Sequence, residues 1–224
     1  MKIGIIGAMD LEIQGLKERL KDVQEITKAK MTFSIGKIEN TEVVVCKCLE
    51  GKVNSTIGTQ ILIDTFQVDE ILNVGVAGGI HPDLLVGDIA ISSQAVEFDL
   101  DTTVLGYELG YVFGLNKVNI PCDQKICHKL EKIAKKYANA LVGTVATSDQ
   151  FVTDEKQMEM LKSKFQAISV DMESASIAHT CYFNQIPFCA LRIISDKGNH
   201  ISYQEFMKQS LEKIENIICD YILE

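Results

Sequence analysis

Residues 2–21 read KIGIIGAMDLEIQGLKERLK, and this stretch decides the fold. Lys2–Ala8 is a nearly unbroken apolar run of strand length, the pattern of a strand covered on both faces. Asp10–Lys21 then carries Ile13, Leu16 and Leu20 at helical spacing, so a buried strand passes directly into an amphipathic helix. The alternation continues outward. Phe33–Ile38 and Thr41–Cys48 read as a hairpin turning at Glu39-Asn40. Val53–Phe66 is predicted as a helix, Glu70–Val76 and Gly87–Val96 as strands, and Asp123–Ala138 as a lysine-rich helix. Leu141–Ser148 (strand), Asp154–Lys164 (helix), Ala167–Val170 (strand), Ser174–Phe183 (helix), Phe188–Ser195 (strand) and Tyr203–Tyr221 (helix) complete the series. Strands interleaved with helices predict a three-layer α/β/α domain with a mixed, mainly parallel central sheet, one domain over residues 1–224. Leu100–Ile120 shows only Gly and Tyr punctuation, and such a stretch in a compact domain is more often a functional loop than a linker.

The formal net charge is −9, with 46% hydrophobic and 24% charged residues, which describes a soluble globular chain. An acidic balance argues against nucleic acid as a partner, since phosphate backbones are held by clustered Lys and Arg. The N-terminus lacks the apolar stretch and cleavage site of a signal peptide. No segment approaches the ~20 apolar residues of a membrane span. The seven cysteines are odd in number and have no Cys-x-x-Cys spacing, so they are expected as reduced thiols in a cytoplasmic protein, without a structural zinc.

Four places carry candidate chemistry. Gly4–Glu12 has Gly after the first strand, but the spacing is not the G-x-G-x-x-G of a dinucleotide site. Glu12, one turn into the first helix, stands where α/β proteins bind ligands, and its spacing fits a helix-dipole partner as well as a site residue. Asn73–Gly79 (NVGVAGG) is a strand running into small residues, where backbone such as that of Gly78 can approach a ligand closely. Val170–Ala178 (VDMESASIA) places acids at a strand-to-helix junction; Asp171 can serve as a cap, whereas Glu173 has no such simple use. Arg192–Asp196 (RIISD) ends a buried strand on an acid, where partial desolvation suits a proton donor, although an Arg–Asp structural pair explains it equally. Together Glu12, Glu173 and Asp196 could face one crevice. No histidine is placed to work with them, and neither a nucleophile elbow nor a Walker loop is present. Carboxylates without nucleophile or metal suit proton transfer and stabilisation of a cation, the chemistry of glycosidic cleavage.

The ordered motifs MKIGIIGAM-x-x-E, E-G-K-V at Glu50–Val53, N-x-G-x-A-G-G, V-G-D-I, L-G-Y-E-L-G, S-D-Q-F-V, V-D-M-E-S-A-S-I-A and R-I-I-S-D resemble the 5′-methylthioadenosine/S-adenosylhomocysteine nucleosidases of the purine nucleoside phosphorylase superfamily. The resemblance spans the chain and implies a nucleoside phosphorylase-like fold, no cofactor, and hydrolysis of the adenine–ribose bond. It implies that Asp196 protonates the base at N7, with Ser195 orienting it, and that Glu12 activates water. Glu173 would hold the ribose hydroxyls, with Met172 packing on the sugar, and Arg192 would position the water and the acids. Phe151 would stack on adenine, and the Val152 backbone would read its edge. Met9 and Tyr107 would line the 5′ pocket, with Tyr203 as a lid. A homodimer is implied too, in which the partner's loop helps close that pocket.

Two departures stand out. Val76 replaces the family's usual Ser in the glycine turn, removing a hydroxyl near the expected water. Glu50 replaces an apolar residue beside the 5′ pocket, where a charge is costly unless solvated or paired, and favours a polar tail such as homocysteine over a methyl. The rivals are a phosphorylase, which would need cations around phosphate that the glycine turn lacks, and a nucleoside-binding homologue without catalysis.

Overall fold

In the computed structural model the described residues are 1–197 and 203–224, without the side chains of 203–210. Strand β1 (Lys2–Gly7) is buried along nearly its whole length and leads into helix α1 (Asp10–Glu18), as its apolar run requires. The helix stops before the expected Lys21. Asp22 takes a left-handed φ of 55°, and Lys21–Lys28 becomes a strand, β2. All eight β2 residues are exposed, so no burial period marks it in the sequence. β3 (Met31–Ile38) and β4 (Thr41–Lys47) form the expected hairpin, with Glu39 at φ 49° in its turn.

Helix α2 (Lys52–Phe66), β5 (Glu70–Gly79) and β6 (Ile89–Glu97) follow. Residues 98–119 are irregular, as expected, apart from a 3-10 turn at Thr103–Leu105 and an isolated bridge between Val112 and Lys117. The two-residue strand β7 (Ile120–Pro121) precedes helix α3 (Gln124–Ala134), whose first N–H groups Asp123 caps. β8 (Ala140–Thr147), α4 (Glu155–Phe165), β9 (Ala167–Asp171), α5 (Ser174–Asn184), β10 (Phe188–Asp196) and α6 (Tyr203–Leu223) complete the chain.

The strands form one mixed sheet. At its centre β4, β1, β5 and β10 are parallel neighbours, while β2, β3 and β4 form an antiparallel edge. Because β10 pairs with both β5 and β6, and β9 closes back on β5, strands β5, β10, β6, β8 and β9 complete a ring. One face is covered by α1, α3 and α6 through Ile13, Leu16, Leu130, Ile214 and Ile218; the other by α2 and α5 through Leu62, Phe66 and Ile177. Each fully buried Leu or Ile contributes roughly 1.5–3 kcal/mol. The register sets Arg192 opposite Gly75 and Asp196 opposite Gly78, which brings the two most informative motifs side by side.

Candidate functional site

The carboxyl ends of β1, β5, β9 and β10 converge on one cleft of about 290 Å³. Its walls include Met9, Glu12, Glu50, Val76, Gly78, Gln150, Phe151, Val152, Asp171, Met172, Glu173, Ser195 and Asp196. This is the crevice beyond the strand ends where ligands of open α/β sheets bind.

Glu12 occupies the third position of α1 and folds back onto the turn that precedes it. Oε2 accepts the N–H groups of Ala8 at 2.8 Å and Met9 at 2.9 Å, and Oε1 accepts that of Val76 at 3.0 Å. It is therefore both a partner of the helix N-terminus and a cleft residue. Burial raises its pKa, with Arg192 and the three N–H groups opposing that rise. A carboxylate so placed retains proton affinity above the ordinary carboxylate range.

Arg192 is fully buried behind the cleft. Its Nε lies 2.8 Å from Asp171 Oδ2, and its Nη2 lies 3.4 Å from Glu173 Oε2 and donates to Asn73 Oδ1. Nη1 has no hydrogen-bond partner among the described residues. A Cβ placed on Gly75 would sit 2.3 Å from that Nη1 and 2.4 Å from Glu12 Oε1, so only glycine lets the guanidinium and the carboxylate approach across this strand. Burial alone would lower the Arg192 pKa, but Asp171, Glu173 and Glu12 together raise it.

Glu173 is 5% exposed, and its Oε1 accepts the Gly51 N–H at 3.0 Å. Burial pushes its carboxyl up to about 7, Arg192 opposing and the negative Asp171 and Glu12 adding to the rise. At the other end of the cleft Ser195 Oγ donates to Asp196 Oδ2 at 2.8 Å, with the Ala77 carbonyl 3.3 Å away. Asp196 is only half-buried. Phe151 is exposed beside the buried Val152, whose backbone N–H and C=O make no hydrogen bond among the described residues.

Glu12, Glu173, Asp196, Met9, Gly78, Phe151, Val152, Met172 and Ser195 thus come together as cleft walls. Two residues expected at the site are not among its walls. Arg192 lies behind the wall, where its charge is paired with the wall residues Asp171 and Glu173. Tyr107 does not line the cleft either, because residues 98–119 fold on themselves and stack Tyr107 on Tyr111 and Phe113, each at 4.8 Å between ring centres. Tyr203 lies outside the residues whose side chains are described. Sequence reasoning missed Asn73 as the acceptor for Arg192, and it left Asp171 as either a cap or nothing more. Asp171 Oδ1 accepts the N–H of Ser174, the first residue of α5, and its Oδ2 is the partner of Arg192. Among the described residues, no group of three or more His, Cys, Asp or Glu side chains could hold a metal ion.

A family model described as the phosphorylase superfamily matches residues 2–223. The 5′-methylthioadenosine/S-adenosylhomocysteine nucleosidase of Staphylococcus carnosus is 36% identical over 224 residues, 98% of each chain. The corresponding nucleosidase of Colwellia psychrerythraea, solved in complex with adenine, superposes with a TM-score of 0.92 at 33% identity, covering 99% of this chain and 94% of that one. The futalosine hydrolase of Helicobacter pylori superposes with a TM-score of 0.94 at 31% identity, covering 99% and 97%. The chain belongs to the phosphorylase superfamily and, within it, to the family of the 5′-methylthioadenosine/S-adenosylhomocysteine nucleosidases.

Proposed function

We propose that the protein hydrolyses the N-glycosidic bond of 5′-methylthioadenosine and S-adenosylhomocysteine, releasing adenine and a 5-thioribose product. The observation that carries this reading is the convergence of Glu12, Glu173 and Asp196 on one cleft with no Lys or Arg among its described wall residues. Cleavage leaves an electron-poor ribosyl cation, which such a cleft stabilises, and phosphate would find no cation there.

Asp196, oriented by Ser195, gives its proton to adenine N7 as the C1′–N9 bond breaks, so the base leaves neutral. Water forms the new C1′–O bond and gives a proton to Glu12, a carboxylate whose proton affinity burial raises. Arg192 holds Glu173 and Asp171 and keeps its free Nη1 donor close to Glu12, which supports a positioning role. Glu173 binds the ribose hydroxyls, and Met172 packs on the sugar. Phe151 stacks on the base, and the unpartnered Val152 backbone reads its edge. Met9 lines the side towards the 5′ group.

The unbroken sheet supports one domain over residues 1–224. Seven buried free thiols support work in the reducing cytoplasm. Val104, Leu105 and Phe113 expose apolar surface on a loop that meets Phe183 of α5 at Gly114, which supports a homodimer with the partner's loop closing the 5′ end. Tyr107 would then serve the other protomer's cleft. The test is adenine release from both nucleosides with and without phosphate. Release without phosphate is the expected result; release only with phosphate would make the protein a phosphorylase.

A further inference from the structure

We infer that Glu50 makes this cleft select its nucleoside by the charge of the 5′ tail, favouring tails that carry an ammonium group over those that carry a carboxylate. The inference rests on the proposed nucleosidase reading for where the 5′ tail lies. Glu50 is an exposed wall residue of the cleft on the turn between β4 and α2. That turn is fixed on several sides. Leu49 N–H bonds the Ala8 carbonyl at 3.1 Å, Gly51 N–H bonds Glu173 Oε1 at 3.0 Å, and Lys52 N–H bonds Asp149 Oδ1 at 2.7 Å. Glu50 is thereby held beside Met9 and next to the residue that anchors the ribose-binding carboxylate, while Asp196 and Phe151 mark the base.

The two nearest lysines in sequence do not neutralise it. Lys47 is paired with Asp10, and Lys52 Nζ lies 2.6 Å from Asp99 Oδ1 and 3.6 Å from Glu97 Oε2. Glu50 makes no ion pair among the described residues, and no described wall residue is a cation. A charge in the ligand a few ångströms away therefore meets an uncompensated carboxylate in a partly solvated cleft. At an intermediate effective dielectric this is worth on the order of tenfold in affinity, attractive for an ammonium and repulsive for a carboxylate, and it weakens with salt. A zwitterionic amino-acid tail would be held ammonium first.

The test uses three adenosine thioethers that differ only in the 5′ tail: methylthio, 2-aminoethylthio and carboxymethylthio. Dissociation constants are measured by calorimetry on the Asp196→Asn chain, which leaves them intact, and kcat/KM by adenine release with the parent chain. We expect the aminoethyl compound to be preferred over the carboxymethyl one by about tenfold at low salt. The preference should shrink to within about twofold on adding Glu50→Gln and reverse with Glu50→Lys. Because the readout is a ratio, a general loss of stability in either variant cancels. An unchanged ratio in Glu50→Gln, or no preference in the parent, would overturn the inference. Binding ratios as expected with no adenine released from any compound would overturn the hydrolytic reading and leave the role of Glu50 standing.

Discussion

Glu173 and Asp196 sit in one cleft yet work under different conditions, and each yields its own test. Asp196 is half-buried and hydrogen-bonded to Ser195, so Asp196→Asn keeps the shape and that contact while removing the proton. Adenine release should fall by at least the roughly 10²–10⁴-fold of a lost general acid, with binding of the intact nucleoside retained. Glu173 is different: its folded-state value of about 7 lies above that of an unfolded glutamate, chiefly through burial. The folded chain thus binds a proton that the unfolded chain has released. The stability this brings is complete below the unfolded pKa of 4.5 and is lost as pH rises through about 7. Glu173→Gln should remove that loss, on the order of 3 kcal/mol between those pH values. Urea unfolding of parent and variant at pH 4.5 and pH 8 measures it. If the parent–variant difference stays constant with pH, Glu173 ionises as an ordinary surface acid.

At the scale of elements, the pairing of β5 with β10 builds the site, and Gly75 is its least forgiving point. Gly75→Ala puts a methyl against Arg192 and Glu12 at once. Overpacking of this kind costs typically ~1–3 kcal/mol. It should also displace the base from the water path, lowering kcat more than tenfold with KM little altered. Parent-like kcat would mean that the Arg192–Glu12 approach is not used.

This pairing explains what the sequence could and could not reveal. The apolar runs of β1, β5 and β10 announce buried strands, and the acids at their ends are legible because charge interrupts burial abruptly. Asn73 and Gly75 matter only through register with Arg192, which no single stretch encodes. β2 was invisible because KDVQEITK is an exposed edge strand with no buried face to impose a period. The side toward which the loop of residues 98–119 folds is likewise not written in any one motif: within this chain Tyr107 stacks on Tyr111 and Phe113.

For the whole molecule, the exposed apolar surface of residues 104–113, with Val53 and Phe183, points to assembly. Val104 is 90% exposed and Leu105 69%, an unusual cost for a lone chain in water. Light scattering at micromolar concentration should give twice the chain mass. Leu105→Asp should shift the chain toward monomer and weaken binding of long 5′ substituents more than binding of adenine. A parent that is monomeric would remove the shared-pocket arrangement, and with it the role assigned to Tyr107.

The most direct measurement of the chemistry is turnover of 5′-methylthioadenosine in oxygen-labelled water, with mass analysis of the sugar product. Direct attack by water assisted by Glu12 predicts one labelled oxygen at C1′ of the thioribose, in phosphate-free buffer and in the presence of phosphate alike. A sugar 1-phosphate as the product, or no turnover until phosphate is added, would contradict it.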